Sequence, residues 1–297
     1  MQKLEKQIYK KNKSYKISKP FEAKVLAIKL INQVAGLDQA YHIVLDISGA
    51  EMNFLPGQSI GVIPPGERED GRTHKPRLYS IASASPTEQS ENENLALCVK
   101  RLVLTEDEAE PKFGLCSNYL CKLKPGDKLL ITGPTGRIML PPMDNKTDLI
   151  LIATGTGVAP FRGFMQTYAR ALQPYQGEIL QYYGFKYEEE ALYCNQLNSD
   201  LIDLTNQTKA QLNLAFSRQQ KNPAGGRMYV SDLIAKDEAK LAEIISRDNF
   251  AIYVCGLKGM ENGILETLAS WANQAKLDAN EYIQQLKQTG RLNLEVY

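Results

Sequence analysis

Histidine is scarce in this sequence, and its cysteines follow no complete ligand pattern. Only His42 and His74 are present among 297 residues, which leaves little room for a zinc site or for a serine nucleophile with a histidine base. Cys116 and Cys121 have a spacing that opens one iron–sulfur pattern, but the third cysteine two residues later is absent. We therefore predict no metal site. The five cysteines contain no C-x-x-C pair, which favours free thiols in a reducing compartment.

The sequence also lacks an excess of charge of either sign and lacks long apolar runs. The net charge is +1, which argues against a general nucleic-acid-binding protein. No apolar run approaches the length that spans a bilayer, so we expect no stable membrane insertion. Residues 1–19 are rich in lysine and lack both arginine and an apolar core, so they give no sign of export or organelle import. We predict a solvated tail over 1–19 and a cytoplasmic protein.

The first half of the chain has the pattern of an antiparallel β-barrel. The whole chain has 297 residues, a length that suggests two domains, and its 43% of hydrophobic residues are enough to form real cores. Short apolar runs are separated by turn residues such as Pro56–Gly57, which is typical of a small barrel. We assign this domain to 20–145. A single helix is expected within it over Ser117–Leu123, capped by Ser117 or Asn118.

The second half predicts a doubly wound α/β domain. From Asp148 onward apolar strands alternate with helical patterns, as in a parallel sheet covered on both faces. We assign this domain to 146–297. Among its connections, Tyr187–Leu204 and Ser231–Arg247 are expected to be helical or mostly helical.

A run from Arg77 to Ser83 alternates large and small side chains between two turn-rich segments. It predicts a short strand with Arg77 and Tyr79 on one face and Ser80 on the other. Arginine suits a phosphate, tyrosine a flat ring and serine a polar ring edge. The alternative interpretation is an ordinary barrel strand in which the tyrosine occurs by chance.

Two glycine-rich turns follow strands of the predicted parallel sheet. Thr154–Arg162 combines a strand end, a glycine turn and a helix start, an arrangement that binds a pyrophosphate through backbone N–H groups. It reads G-x-G-x-x-P, with Pro160 where the dinucleotide fingerprint has glycine, and no acidic residue for an NAD ribose ends the next strand. Cys255–Met260 is the second turn, at the edge where open α/β sheets bind ligands.

A basic cluster follows the third strand of this sheet. Ser217 and Arg218 are separated by a Pro-Ala-Gly-Gly loop from Arg227 and Tyr229. The two arginines can chelate a 2′-phosphate while the tyrosine stacks on adenine, and no carboxylate interrupts the set. The alternative is a solvated loop with routine basic residues.

Seven motifs occur in the order found in one enzyme family. They are Arg77–Ser80, Gly114–Asn118, Gly155–Pro160, Ser217–Arg218, Arg227–Tyr229, Cys255–Met260 and Glu295–Tyr297. Together they make the chain, from about Phe21 to Tyr297, resemble plastidic-type ferredoxin–NADP reductases. The resemblance implies an FAD-binding barrel followed by an NADP-binding α/β domain, with the flavin between them.

The resemblance also implies roles for individual residues. For FAD it implies Arg77 and the Gly114–Asn118 turn at the phosphates, Tyr79 on the flavin ring, Ser80 near its reactive nitrogen and Tyr297 on its opposite face. Other residues placed at or near the FAD are Cys98, Lys100, Gly114, Leu115, Cys116, Ser117 and Thr156. The residues placed along NADP are Lys100, Thr156, Gly157, Val158, Ser217, Arg218, Arg227, Tyr229, Gly256, Leu257 and Met260. Catalytic roles are implied for Ser80, Cys255, Glu295 and Tyr297, and contact with a protein partner for Lys75 and Arg72.

Two positions depart from the family pattern. Leu104 stands where the family usually has a tyrosine on the FAD adenine, and Pro76 stands where it commonly has leucine beside the partner surface. We expect an FAD-dependent oxidoreductase that exchanges electrons between NADP(H) and ferredoxin or flavodoxin, and that acts as a monomer. The alternatives are a reductase that feeds an oxygenase, an NADPH diaphorase or quinone reductase, and a flavin redox sensor without turnover.

Overall fold

Six antiparallel strands form the first sheet of the computed structural model, which describes residues 14–32, 38–86, 94–105, 111–142 and 144–297. The strands are β1 (Phe21–Leu30), β2 (Ala40–Asp46), β3 (Ser59–Ile63), β4 (Arg77–Ser80), β5 (Asn94–Lys100) and, after the small pair β6 (Val103–Thr105) and β7 (Lys112–Phe113), β8 (Lys128–Thr135). Their spatial order is β4-β3-β8-β1-β2-β5. A bridge from Ile81 to Leu97 joins the two edge strands, and the Ala82 N–H donates to the Ala96 carbonyl at 2.7 Å. The predicted antiparallel barrel is confirmed.

Alternation along the strands builds the barrel core. In β2, Ile43 and Leu45 are buried while their neighbours are partly exposed, and in β1 the buried Ala23 and Val25 alternate with exposed residues. Burying each large aliphatic side chain contributes about 1.5–3 kcal/mol. Helix α1 (Leu115–Lys122) adds Leu120 to the same core.

The predicted helix start was wrong by two residues. Gly114, not Ser117 or Asn118, is the N-cap of α1. Ser117 lies in the first turn, where its hydroxyl accepts from the Leu102 N–H at 3.1 Å and donates to the Gly114 carbonyl at 3.3 Å. A tertiary hydrogen bond to Leu102 therefore uses the side chain that would otherwise cap the helix.

Most of the predicted N-terminal tail, residues 1–13, lies outside the described residues. Within 14–19, Tyr15 exchanges two backbone hydrogen bonds with Gly133, at 2.8 and 2.9 Å, and its hydroxyl donates to the Ala50 carbonyl at 2.7 Å. This tyrosine packs on the barrel, whereas Lys16–Lys19 are exposed.

Five parallel strands form the second sheet, in the order β11-β10-β9-β12-β13. The strands are β9 (Asp148–Thr154), β10 (Ile179–Phe185), β11 (Gln211–Phe216), β12 (Phe250–Gly256) and β13 (Leu292–Val296). The helices are α2 (Val158–Arg170), α3 (Asp200–Thr208), α4 (Val230–Lys236), α5 (Glu238–Ile245), α6 (Gly259–Gln274) and α7 (Ala279–Gln288). The predicted α/β fold is confirmed, and no helix in the described ranges is long and apolar enough to cross a membrane.

The two faces of this sheet are buried against different partners. Leu149 and Leu151 of β9 pack with α2 and with barrel residues such as Ala82, whereas Ile150 and Ile152 pack beneath α4 to α7. Because a strand directs successive side chains to opposite faces, one apolar run serves both layers.

The connection over Tyr187–Leu204 is not mostly helical as predicted. It has one short 3₁₀ turn, and α3 begins only at Asp200. The side chain of Asn195 fixes the path of this connection. Its Nδ2 donates to the Ile31 carbonyl of the barrel at 2.8 Å, and its Oδ1 accepts from the Leu197 N–H at 2.9 Å. Ser231–Arg247 divides into α4 and α5 at Asp237.

A buried polar cluster joins the two domains. The Arg162 guanidinium of α2 donates to the Ala82 carbonyl of the barrel at 2.5 Å and to Asp200 through Nε at 2.9 and 3.0 Å. The same guanidinium lies 5.0 Å from the centre of the Tyr193 ring. Tyr193 in turn forms a 2.9 Å hydrogen bond with Nδ1 of His42 on β2. Burial, with the positive charge of Arg162, lowers the pKa of His42 from 6.5 to about 4.

This pKa predicts a loss of stability in mild acid. As the pH falls from 6.5 towards 4, the unfolded chain protonates His42 and the folded chain does not, so up to about 3 kcal/mol of stability is lost across that window. His42→Gln keeps a hydrogen-bonding group and removes the titration. We expect urea denaturation of this variant at pH 7, 6, 5 and 4.5 to give a flatter pH dependence than the parent. His74→Gln, outside the cluster, is the control, and equal slopes for parent and His42→Gln would contradict the linkage.

Candidate functional site

Two glycine turns meet at the carboxyl edge of the parallel sheet. The chain runs from β9 outward to β10 and β11, then returns to β12 on the other side of β9, so the strand order reverses between β9 and β12. The Gly155–Gly157 turn follows β9, and β12 ends at Gly256, directly before Leu257. The Leu257 N–H donates to Thr154 Oγ1 at 3.0 Å. A Cβ on Gly157 would lie 2.0 Å from the Cys255 carbonyl oxygen, so only glycine permits this approach.

A cavity of about 490 Å³ opens over these turns. Residues from both domains line it, and those used below are Lys100, Lys186, Glu190, Ser217, Tyr229, Leu257 and Met260. Helix α2 begins directly after the glycine turn, so backbone N–H groups of its first turn are available to an anion. The position at a topological switch point is where open α/β sheets bind nucleotides.

The basic cluster after β11 stands at one end of this cavity. Ser217 and Tyr229 line it, and Arg218 and Arg227 are exposed without an ion pair in the part of the chain that the structure describes. The sequence analysis did not identify the residues that order the loop between Arg218 and Arg227. Asp232 accepts from the Tyr229 N–H at 2.7 Å and from Asn222 Nδ2 at 3.1 Å.

Elsewhere on the cavity wall two lysines share one carboxylate, and one of them adjoins the basic cluster, because the Arg218 N–H donates to the Lys186 carbonyl at 2.9 Å. Asp38 Oδ2 lies 3.1 Å from Lys100 Nζ and 3.0 Å from Lys186 Nζ. Burial alone would raise the pKa of Asp38, but the hydrogen bonds from Lys186 and Lys100 outweigh it and the pKa is lowered. Asp38 and Lys186 were not predicted. Lys186 follows β10 directly, and that position at a strand's carboxyl end was the available signal.

Three predicted catalytic residues lie together beside the second turn. Cys255 pairs with Glu295 across β12 and β13. Tyr297 follows β13, its N–H donates to the Gly256 carbonyl at 3.0 Å, and its hydroxyl lies 2.6 Å from Thr156 Oγ1. Burial raises the pKa of Glu295, and burial together with the Glu295 charge raises the pKa of Cys255. The thiol is therefore a protonated, buried group and not a thiolate.

The barrel contributes Cys98 to this region. Strand β5 contacts the Gly155–Gly157 turn, so its buried face meets the nucleotide edge of the sheet. Burial raises the pKa of the Cys98 thiol to about 12. Cys98 is buried in the same cluster as Tyr193, which connects it to the polar cluster between the domains. This thiol also stays neutral.

Arg77, Tyr79 and Ser80 lie on β4 as predicted. The Arg77 guanidinium is exposed and donates to the Lys75 carbonyl at 3.0 Å. Tyr79 is partly buried against the barrel core beside Cys116, and burial raises its pKa. The Ser80 hydroxyl makes no hydrogen bond within the described residues, so it is free to meet a ligand.

The barrel surface near β4 and α1 fits an FAD. Leu78 is 62% exposed, Leu102 55% and Leu115 49%, an unusual amount of large apolar side chain to leave uncovered. The Gly114 N–H donates to the Leu102 carbonyl, which holds the start of α1 against Leu102, and the first-turn N–H groups of α1 suit a phosphate. This surface therefore has both exposed apolar side chains that a flavin ring can cover and N–H donors for a pyrophosphate.

The two departures from the family pattern are visible on this surface. Leu104 on β6 is 59% exposed and presents an aliphatic side chain. Arg72 and Lys75 are exposed in the segment before β4, close in sequence to the exposed Leu78, and Pro76 is half-buried. The structure thus places a cationic and apolar surface next to the predicted flavin strand.

Barrel and sheet together define a class of protein. An antiparallel barrel with an anion-binding helix start, packed against a nucleotide-binding parallel sheet, is the architecture of two-domain flavin- and nicotinamide-dependent oxidoreductases. Residues 25–139 match the oxidoreductase FAD-binding domain family and residues 151–266 match the oxidoreductase NAD-binding domain family.

Relatives of known identity narrow the class. A ferredoxin–NADP reductase of Spirulina sp. is 38% identical over 95% of this chain and 97% of that protein. Chloroplastic leaf isozyme 1 of Arabidopsis thaliana is 38% identical over 95% of this chain and 79% of that one. The solved ferredoxin-NADP+ reductase of Plasmodium falciparum has a TM-score of 0.75 at 26% identity, covering 95% of this chain and 98% of the other. The chain belongs to the ferredoxin–NADP reductase family, and the resemblance seen in the sequence is confirmed.

The close approach of the two turns gives a testable prediction. Gly157→Ala places a methyl group against the Cys255 carbonyl, so the turn must shift, and we expect a loss of at least about 2 kcal/mol of stability. Gly259→Ala is the matched control, because nothing lies within 4 Å of its added Cβ. Thermal melting monitored by circular dichroism measures both. A Gly157→Ala melting temperature equal to that of Gly259→Ala would show that the turns do not constrain each other.

Proposed function

We propose that this chain is an FAD-dependent oxidoreductase that exchanges electrons between NADP(H) and a one-electron carrier protein, ferredoxin or flavodoxin. One observation carries the proposal. The two glycine turns meet under Tyr297, whose hydroxyl contacts Thr156, beside the paired Cys255 and Glu295. When bound, the FAD supplies the chemistry that accepts a hydride as an electron pair and passes electrons on singly.

Nucleotide selection falls to the basic cluster after β11. Arg218 and Arg227 are free of ion pairs in the described chain, so both guanidinium groups are available to a 2′-phosphate together with Ser217. Tyr229 is 51% exposed on the cavity wall and offers its ring to the adenine. The remaining NADP contacts, from Lys100, Gly157, Val158, Gly256, Leu257 and Met260, follow from the resemblance.

Tyr297 controls access to the reacting region. Its hydroxyl is hydrogen-bonded to the Thr156 hydroxyl, and its backbone is fixed by hydrogen bonds to Gly256 and Lys258. The nicotinamide takes the place of this ring, so the ring moves before hydride transfer, and the apparent affinity falls by the fraction of time the ring covers the site. The raised pKa of Cys255 keeps its proton on sulfur beside the transferring hydride.

The barrel would hold the FAD. Arg77 and the N–H groups at the start of α1 would bind its phosphates, Tyr79 would pack on the flavin ring, and Ser80 would offer its hydroxyl to the polar edge of that ring. Cys116 supports this arrangement, since its thiol donates to the Val62 carbonyl at 3.7 Å and it lies against Tyr79. An aliphatic Leu104 gives the adenine less stacking than an aromatic ring would.

Carrier proteins meet the surface formed by Arg72, Lys75 and Leu78. An exposed apolar side chain within a cationic rim suits a small acidic partner, with steering that is screened beyond about 8–10 Å at ordinary salt. We propose that the protein acts as a monomer in the cytoplasm.

The function is tested with the purified holoprotein under anaerobic conditions. NADPH is expected to bleach the flavin absorbance within seconds, and a [2Fe–2S] ferredoxin or a flavodoxin is expected to restore it as the carrier is reduced. Bleaching without reduction of either carrier would favour a diaphorase or quinone reductase. No bleaching by NADPH would contradict an NADP(H)-dependent enzyme.

The basic cluster predicts a preference for NADPH over NADH. Each charge-assisted hydrogen bond to a phosphate is worth about 1.5–3 kcal/mol, so Arg218→Ala is expected to raise the Michaelis constant for NADPH tenfold or more and to leave that for NADH nearly unchanged. Arg170→Ala, an exposed arginine at the far end of α2, is the matched control. Steady-state rates with a chemical electron acceptor give both constants, and an equal loss with both nucleotides would refute the 2′-phosphate assignment.

A further inference from the structure

Asp38 bridges the two domains at the mouth of the nucleotide cavity. Its Oδ2 atom accepts from Lys100 of the barrel at 3.1 Å and from Lys186, which follows β10 of the parallel sheet, at 3.0 Å. Both lysines line the cavity that the glycine turns face. A single carboxylate oxygen therefore holds the two ammonium groups of the cavity wall together.

The arrangement suits an exchangeable contact and not a permanent one. The side chains are 33% exposed for Lys100, 35% for Asp38 and 50% for Lys186, so water screens each ion pair. Exposed ion pairs of this kind contribute little net stability, because water and salt screen the charges and ordering the long side chains costs entropy. Another anion that enters the cavity can displace the carboxylate at small cost.

A nucleotide brings such an anion. The 2′-phosphate has its own cations in Arg218 and Arg227, which adjoin the lysine pair, since the Arg218 N–H donates to the Lys186 carbonyl at 2.9 Å. The diphosphate carries further negative charge, and Lys100 and Lys186 are the lysines that line the cavity along the described chain. While Asp38 occupies them, an approaching diphosphate meets a carboxylate instead of two unpaired cations.

We propose that Asp38 sets the nucleotide affinity by competing with the diphosphate for Lys100 and Lys186. This inference rests on the proposed function, because it assigns the cavity to a dinucleotide. Binding exchanges the carboxylate for phosphate oxygens on both ammonium groups. Since the diphosphate is common to both coenzymes, Asp38 changes affinity for NADP+ and NAD+ alike and leaves their ratio to the arginine cluster.

Calorimetric titration of the holoprotein with NADP+ and with NAD+ tests the competition. Asp38→Asn keeps the size of the side chain and removes its charge. It is expected to lower the dissociation constant of both nucleotides three- to tenfold by the same factor. Because it exposes two cations to the ligand, it is also expected to make NADP+ binding fall more steeply between low and high salt.

Two further variants separate the effect of the Asp38–lysine contact from the effect of the overall negative charge in the cavity. Glu190→Gln is the matched control, since Glu190 lines the same cavity and makes no ion pair with either lysine in the described chain. It is expected to change NADP+ affinity by a smaller factor. In a Lys186→Met background the gain from Asp38→Asn is expected to shrink, because one of the contested cations is gone.

The outcomes separate the proposal from its rivals. Weaker binding of both nucleotides by Asp38→Asn would overturn it and make Asp38 a residue that positions the lysines for the ligand. Unchanged affinity with a lower melting temperature would make the bridge a structural contact between domains. An equal gain from Glu190→Gln would reduce it to a general charge effect. A parent protein that binds neither nucleotide would instead refute the proposed function.

Discussion

The buried guanidinium of Arg162 is the interaction on which the arrangement of the two domains depends. Only 7% of this residue is exposed, and its charge is met by Asp200, by the Ala82 carbonyl and by the Tyr193 ring. Removing one partner of such a buried pair is costly, typically about 3–5 kcal/mol, because the other charge is left uncompensated. Since α2 also begins at the glycine turn, the helix that offers N–H groups to a nucleotide is fastened to the barrel two residues beyond β4.

That connection explains how two separate recognition surfaces become one site. Ala82 follows the Arg77–Ser80 strand, and Arg162 follows the Gly155–Gly157 turn, so a single guanidinium fixes the flavin strand relative to the nucleotide edge. His42 and Cys98 extend the same polar cluster through Tyr193. The site is therefore held in place by the residues of the Arg162 cluster, which do not themselves contact a ligand. Its charges include the Asp38 carboxylate, which opposes the binding of the nucleotide diphosphate.

The accuracy of the sequence-based expectations varied with the range of the interactions involved. Strand β11 was predicted to the residue, because its apolar run is bounded by turn residues on both sides. The start of α1 was missed because Ser117 makes a tertiary hydrogen bond to Leu102. The connection after β10 was predicted as mostly helical because its composition permits a helix, yet Asn195 fastens it to the barrel through Ile31. The local sequence determines the type and the ends of a helix or strand only where no residue distant in sequence competes for hydrogen bonds with its polar groups.

The sequence alone determined the family, the two-domain order and the positions of the glycine turns, because these follow from motifs a few residues long that dictate their own backbone. The roles proposed for Arg218, Arg227 and Tyr229 were predicted from a motif of the same kind. Only the tertiary structure revealed the bridge of Asp38 to Lys100 and Lys186, which spans 62 and 148 positions, and the Arg162 cluster. Within the cluster the hydrogen bonds of Arg162 to Asp200 and Ala82 span 38 and 80 positions, and that between His42 and Tyr193 spans 151. Such contacts leave no local pattern, because the chain brings them together only when β5, β10 and α2 have packed, and charge pairing at a domain junction depends on that packing and not on sequence spacing.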